Sequence, residues 1–328
     1  MDWFERLTGF SERAHSYEEI QGLLRWQDGW LHSSVNRKRY WPGTFELAQI
    51  RELRQVASSV KGNGTTKLSE QVADVTALHH DPENANAVFQ VASQFNMLEM
   101  VAPNVTPEAG VGIYEHDKTQ GPACAICCGA GTIYRNYGVE FGDTRGQTAG
   151  RQLNGLGGLS EIIPDLFEGW SMQNGYALPD SERALQRTTE QVARGGDEAL
   201  RAALALGVQW NSAVTSGGGL HTHRVSQVYC AAMPIAYSGV HPRHWETVAR
   251  LVLNATYEGT LWAAVANAQR TGCNRVFLTL VGGGVFGNPL NWILDAIAHG
   301  LSLVSDHGLD VRIVSYGHSK PQVAAFVR

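Results

Sequence analysis

A chain of 328 residues that is 43% hydrophobic and 17% charged can bury a full core and reads as globular. A formal net charge of -5 argues against a general nucleic-acid binder or a membrane-surface protein, and no apolar run approaches a membrane span. The charged start MDWFERLTGF lacks the apolar core of a cleavable signal, which predicts an intracellular, cytoplasmic protein; a secretion machine that needs no such signal would accept the same sequence.

Helical patterns cover Tyr17 to Trp26 and Phe45 to Val60, the second ending at the turn-forming KGNGTT, so residues 1–66 read as a helical amino-terminal extension. From Gln71 the runs QVADVTAL and AVFQVASQF are short, apolar and β-rich, separated by HHDPENAN. A long loop from Asn96 to Gln120 leads into PACAICCGAGTIYRNY, whose small residues suit a buried helix. Gly138 to Gly158 reads as an ordered surface loop rich in donors such as Arg145, Gln147, Arg151 and Gln152, and residues 180–206 as helix broken at Gly195-Gly196. Together these predict an insertion at about 138–220 in a domain spanning 67–328.

Next come a strand in HRVSQVYCAAM, one long or two short helices in HPRHWETVARLVLNATYEGTLWAAVANAQRTG and a strand in VFLTLV. A helix in PLNWILDAIAHGLSLVSDHG and a last strand in VRIVSYG complete the chain. Strands alternating with helices at this spacing predict an α/β fold with three layers, α/β/α.

The segment RVFLTLVGGGVFGNPLNWILDAIAH joins a strand to a helix through a glycine-rich loop, an arrangement in which free N–H groups and a helix N-terminus converge on an anion. Gly282, Gly283, Gly284 and Gly287 let the backbone wrap closely around a ligand, with Val285, Phe286 and Asn288 completing the loop. No Lys-Ser or Lys-Thr pair enters the helix, so nucleoside triphosphate chemistry is disfavoured, and a dinucleotide fingerprint fits poorly because no acidic residue follows at a second strand end. The plain alternative is a tight loop between strand and helix.

These landmarks resemble a macrodomain, the ADP-ribose-binding fold. VADVTAL resembles its early strand-to-loop motif, with Asp74 at the adenine-recognising Asp and Ala73 in place of the usual Gly. AVFQVASQFN resembles the strand that ends in the ribose loop, with Asn96 at its Asn. VFLTLVGGGVFGNP resembles the second phosphate loop, with Gly282 and Gly283 in place of Ser and Thr. FQVASQFNMLEM, DKTQGPACAI followed by GAGTIYRNY, and QVYCAAMPIAYS further resemble the divergent MavL-type branch, ADP-ribosylhydrolases that release ADP-ribose from arginine of ubiquitin. The resemblance implies a mixed central sheet, ADP-ribose as ligand, an ADP-ribosylated protein such as ubiquitin as partner, and first-loop carboxylates as catalysts. It points to Asp117, with Glu108 and Glu115 as partners.

The chemistry can be argued separately. Cleaving a glycosidic bond at a ribose passes through an oxocarbenium-like state, which a carboxylate can steady while it activates water. The loop from Asn96 to Gln120 carries Glu99, Glu108, Glu115 and Asp117 against one Lys118, an unfavourable set beside a diphosphate unless it performs chemistry or faces a cation such as arginine. Gln120 would orient a water or satisfy backbone groups; Phe286 would pack on the distal ribose or in the core; Tyr316 would stack on a ring of the ligand or pack inside.

Each candidate also has a plain reading: Asp74 as a turn cap, Asn96 as an Asx-turn, Glu108 as a solvated charge and Glu115 as a partner for Lys118. Cys124, Cys127 and Cys128 with His116 loosely suggest zinc, but lack a second ligand pair and suit apolar filling; His221 and His223 read as exposed. No metal and no cofactor is expected. Two functional classes follow, an ADP-ribosylhydrolase and a non-catalytic ADP-ribose reader, with a nucleotide-sugar hydrolase a weaker third.

Overall fold

The computed structural model describes residues 1–58, 62, 64–217 and 223–328. Seven strands form one sheet: β1 (Thr44–Gln49), β2 (Lys67–Val72), β3 (Val88–Ala92), β4 (Ala205–Ala213), β5 (Arg224–Cys230), β6 (Arg275–Leu278) and β7 (Asp310–Ser315), in the order β1-β4-β5-β3-β6-β7-β2. β4 runs antiparallel to both neighbours, and every other pair is parallel. The expected fold class, a mixed sheet between helical layers, is what the chain adopts.

Alternation along the strands assigns the two faces. On β3, Val88 and Gln90 meet one layer while Phe89 and Val91 meet the other; on β5, Val228 and Cys230 oppose Val225 and Tyr229. The first layer is built from α3 (Ile50–Ser58), α8 (Glu246–Thr271) and α9 (Leu290–Leu303). The second holds α4 (Val75–His80) and α5 (Gln120–Cys127), whose Val75, Leu78 and Cys124, with Cys128 just after α5, pack with Phe89, Tyr229 and Phe277. α8 is apolar nearly all round because it lies between the sheet and other helices, so the segment reads as one long helix.

Two boundaries move. The expected extension of 1–66 contains β1 and α3, which belong to the sheet and to its helical layer; only the stretch before β1 stands apart, as α1 (Trp3–Thr8), α2 (Tyr17–Leu23) and a three-stranded meander over Leu24–Gln27, Trp30–Ser33 and Arg39–Tyr40. The helical pattern expected from Phe45 begins at Ile50 instead, and Ser59 and Val60 at its end lie outside the described residues. The expected insertion of 138–220 likewise contains β4. ALGVQWNSA is buried at six successive positions between two layers, so it lacks the alternation that marks a half-exposed strand. The remaining insertion holds a hairpin, Trp170–Gln173 with Tyr176–Pro179, then α6 (Glu182–Gly195) and α7 (Asp197–Ala203), divided at Gly196 with φ 80°.

The amino-terminal segment is fastened to the long first loop. Glu12, buried, accepts the N–H groups of Val111 and Gly112 at 2.9 and 2.5 Å and the Tyr137 hydroxyl at 2.8 Å. Trp3 donates its indole N–H to the Val111 carbonyl at 3.1 Å.

Candidate functional site

The parallel strands β2, β7, β6, β3 and β5 end side by side, and a cleft of about 1130 Å³ opens along their carboxyl ends. That is ample for a dinucleotide-sized ligand, and the carboxyl edge of such a sheet is where ligands bind in open α/β folds. Asp74 and Tyr316 stand at the β2 and β7 end; Thr279 to Phe286 follow β6; Ala92, Ser93 and Gln94 follow β3; Ala232 follows β5. The stretch Ile113 to Ala123 of the first loop and α5 forms a further wall.

The glycine loop is held by its own hydrogen bonds. Gly283 N–H donates to the Leu280 carbonyl at 3.0 Å, Gly287 N–H to Gly284 at 3.1 Å and Asn288 N–H to Gly282 at 2.9 Å. The Asn288 side chain donates to the Met233 carbonyl at 2.9 Å, so Asn288 latches the loop from behind and stands outside the cleft wall. Gly282 has φ 76°, and a Cβ there would lie 2.5 Å from that of Ala232; its reason is steric. A Cβ on Gly284 would meet nothing within 4 Å. Among the described residues, the N–H groups of Gly284, Val285 and Phe286 meet no protein acceptor, and all three residues line the cleft. Consecutive free N–H groups on an open loop suit an anion. α5 adds its N-terminus nearby: Thr119 makes no side-chain cap, and Gly121 in the first turn faces the cleft with Lys118 beside it.

The expected site residues are sorted by what they already hold. Asp74 lines the cleft and also caps α4, accepting the Thr76 N–H at 2.7 Å with one oxygen. Asp117 lines the cleft, half-buried, with one oxygen accepting the Thr119 N–H at 2.8 Å. Glu115 reaches the wall but is engaged by Trp3 N–H at 2.5 Å and Arg6 at 3.3 Å, while Lys118 bonds only its main-chain carbonyl. Gln120 accepts the Ala92 N–H at 3.0 Å and donates to the Gln90 carbonyl at 2.8 Å, so it fixes the end of β3. Glu108 lies outside the cleft wall and accepts the Ala149 N–H at 2.8 and 3.1 Å. Asn96, fully buried and also outside that wall, donates to Gln152 at 2.9 Å and accepts the Leu98 N–H at 3.1 Å; an Asx-turn suffices for it.

Glu99 forms part of the cleft floor, paired with Arg135 at 3.1 Å, both side chains buried. Arg135 also donates to the Met97 carbonyl at 2.8 Å and lies over the Tyr229 ring, 3.4 Å from its centre. Burial pushes the Glu99 carboxyl up to about 7 against the lowering influence of Arg135. Arg135 is thus a core residue; of the donors expected in the loop from Gly138 to Gly158, Arg145 pairs with Glu140 and Arg151 bonds main-chain carbonyls.

Two wall residues carry little local signal in the sequence. Tyr176 and Tyr237 pack with Phe286 as an aromatic trio, ring centres 5.1 to 5.6 Å apart, beside the glycine loop. Tyr176 arrives from the insertion hairpin, whose Asn174-Gly175 turn has φ 48° and 83°; that Asn-Gly pair is the one local hint of the hairpin. Phe286 is 8% exposed, packed in the core with its edge on the cleft wall, whereas Tyr316 on the same wall is 77% exposed.

Among the described residues, no group of three or more His, Cys, Asp or Glu could hold a metal ion, and His221 lies outside them. Cys124, Cys127 and Cys128 are buried, and burial pushes the Cys127 thiol up to about 12, so these cysteines pack as neutral fillers. No described helix is long and apolar enough to cross a membrane.

No family model and no curated protein matches the chain. Among solved structures, the chain is similar to poly(ADP-ribose) glycohydrolase from Deinococcus radiodurans in complex with ADP-ribose, at 11% identity and TM-score 0.44 over 86% of this chain and 90% of that one. It is also similar to the Thermomonospora curvata poly(ADP-ribose) glycohydrolase bound to the inhibitor ADP-HPD, at 14% identity and TM-score 0.39 over 96% of each chain. At these identities and scores the likeness assigns neither substrate nor residue.

Proposed function

We propose that the cleft binds ADP-ribose and that the protein hydrolyses the glycosidic bond between the distal ribose and a protein side chain, arginine being the preferred carrier and ubiquitin a candidate target. The observation that carries this reading is the run of open N–H groups from Gly284 to Phe286 in the same cleft as the half-buried carboxylate of Asp117. In this reading adenine lies between Asp74 and Tyr316, the diphosphate rests on the glycine loop and the α5 N-terminus, and the distal ribose packs beside Phe286 and Tyr237.

Thr119 holds one oxygen of Asp117 and fixes its direction; the other is left to accept a proton from water. That water oxygen bonds to the anomeric carbon as the carbon–nitrogen bond breaks, and the released guanidine carries away the proton. The negative charge of Asp117 steadies the oxocarbenium-like state and attracts the guanidinium before cleavage.

A second reading, a reader without turnover, draws support from the engagement of Glu115, Glu99 and Gln120 by protein partners, which leaves Asp117 as the first-loop carboxylate open to the cleft. Calorimetry with ADP-ribose, followed by incubation with arginine-, serine- and glutamate-linked ADP-ribosylated proteins, separates the two. Release from the arginine-linked substrate supports the hydrolase, binding without release on all three supports the reader, and absence of ADP-ribose binding sinks both.

A further inference from the structure

The meander over Leu24–Gln27, Trp30–Ser33 and Arg39–Tyr40 turns one face inward and one outward. Leu24, Trp26, Leu31 and Tyr40 pack towards α1 and α2, so Arg25, Trp30, His32 and Arg39 share the outer face. Register sets Arg25 opposite His32 and His32 opposite Arg39, a cross-strand row of three basic side chains. The row sets two guanidinium groups on either side of an imidazole on one open face.

The row continues as arginines laid on tryptophans. Arg39 lies 4.8 Å from the Trp30 ring centre, Trp30 packs edge-on against Trp41 at 5.3 Å, and Arg224 lies 5.3 Å from Trp41. Arg270 lies 4.1 Å from Trp210, which pairs with Thr44 at the start of β1, three residues after Trp41. Arg37 and Lys38 add charge in the turn before the third strand; Asp28, the acidic residue of the meander, lies in the turn between the first two. Among the described residues none of Arg25, Arg37, Lys38, Arg39, Arg224 and Arg270 has an ion-pair partner. The net charge of -5 therefore conceals a local basic and aromatic strip.

Its position separates it from the cleft. Trp41 precedes β1 and Arg224 opens β5, two strands that run in the same direction, so the strip lies at the amino edge of the sheet, roughly 20 Å of strand from the carboxyl edge.

We infer that this strip is a binding surface for single-stranded nucleic acid. A guanidinium over an indole is partly ordered before binding and its N–H fork matches a phosphate. Half-exposed Trp30 and Trp41 offer rings on which bases stack, and arginines alternating with aromatic faces are how proteins track a single strand without reading its sequence. A protein partner with an acidic surface would use the charges but not the ring faces.

The test is fluorescence anisotropy of a labelled single-stranded oligonucleotide of about twelve nucleotides against the full-length protein over a series of salt concentrations. The triple variant Arg25→Gln, Arg39→Gln, Arg224→Gln should lose roughly tenfold in affinity at low salt and lower the salt slope by about 2, since each phosphate contact on a single strand contributes about 0.7. Trp30→Leu should weaken the oligonucleotide but leave heparin, a polyanion without bases, unchanged. Lys320→Gln on the cleft wall should change neither. No binding by the wild type at low salt overturns the inference, as does wild-type affinity in the triple variant. An unchanged oligonucleotide affinity in Trp30→Leu, or a loss confined to Lys320→Gln, overturns it too. These substitutions are at partly or fully exposed side chains, and circular dichroism of each variant checks that the fold is kept.

Discussion

The carboxylate of Glu115 accepts the main-chain N–H of Trp3 at 2.5 Å, joining the first helix of the chain to the loop that carries Asp117 two residues later. Arg6 holds its other oxygen at 3.3 Å, and Glu12 fastens the same loop a turn earlier. An acid expected to take part in chemistry is thus one of the ties that set the loop's course. Removing the amino-terminal segment would leave Glu12's two N–H donors buried and unpaired, which costs more than the hydrogen bonds contribute when made.

Glu115→Gln retains an oxygen for the Trp3 N–H and is expected to keep ADP-ribose release within about threefold of wild type, because a neutral amide still meets the fold's need. Glu12→Ala strips three donors of their acceptor and should lower the free energy of unfolding by about 3 kcal/mol, read from urea titration. A hundredfold loss of release in Glu115→Gln at unchanged stability would return Glu115 to the catalytic set.

Asp117→Asn keeps an oxygen for the Thr119 N–H and removes the charge. Affinity for ADP-ribose should change little, while release from an arginine-linked substrate should fall by a factor of about 100 to 1000, the range for losing a positioned acid–base group. Single-turnover release at saturating enzyme, with calorimetry beside it, separates the two effects.

Gly282→Ala and Gly284→Ala should fail in different ways. The first places a Cβ against Ala232 at a φ of 76° and is expected to lower the melting temperature. The second meets no protein atom within 4 Å, so the fold should be indifferent, while the methyl group narrows the approach to the free N–H groups. ADP-ribose affinity in Gly284→Ala should drop by about tenfold with no change in melting temperature; an unchanged affinity would remove the diphosphate from this loop.

Glu258, on α8 and fully buried, gives the fold an acid-sensitive point. Burial by itself raises its carboxyl, but hydrogen bonds from His299, Arg54 and Arg201 outweigh burial and hold it at about 2, against 4.5 for the free group. Because the folded value is depressed, this stability is complete above about 4.5 and is lost as pH falls towards 2. Its size is roughly 3 kcal/mol. Urea midpoints of wild type and Glu258→Gln between pH 7 and pH 3 should converge as the pH falls; parallel profiles would assign the acid sensitivity elsewhere.

Much of the sheet was legible because its strands and helices carry their own periods: β5, β6, β7, α8 and α9 lie where HRVSQVYCAAM, VFLTLV, VRIVSYG and the helical patterns place them. β1 and β4 were not, since β1 runs directly into α3 and β4 is covered on both faces, which removes the alternation that exposes a strand.

Local chemistry in the sequence determined the glycine loop, the acidic character of the first loop and the alternating layers. Only the tertiary structure decided which of those acids stays open. Glu108, Glu115 and Glu99 look alike in the chain, yet each meets a donor distant in sequence, Ala149, Trp3 and Arg135, that folding brings to it. Asp117 keeps an oxygen because its hydrogen-bond partner, the Thr119 N–H, is two residues away and occupies one of two. Composition cannot anticipate that difference, because the energy of a carboxylate depends on which N–H groups reach it once the chain has closed.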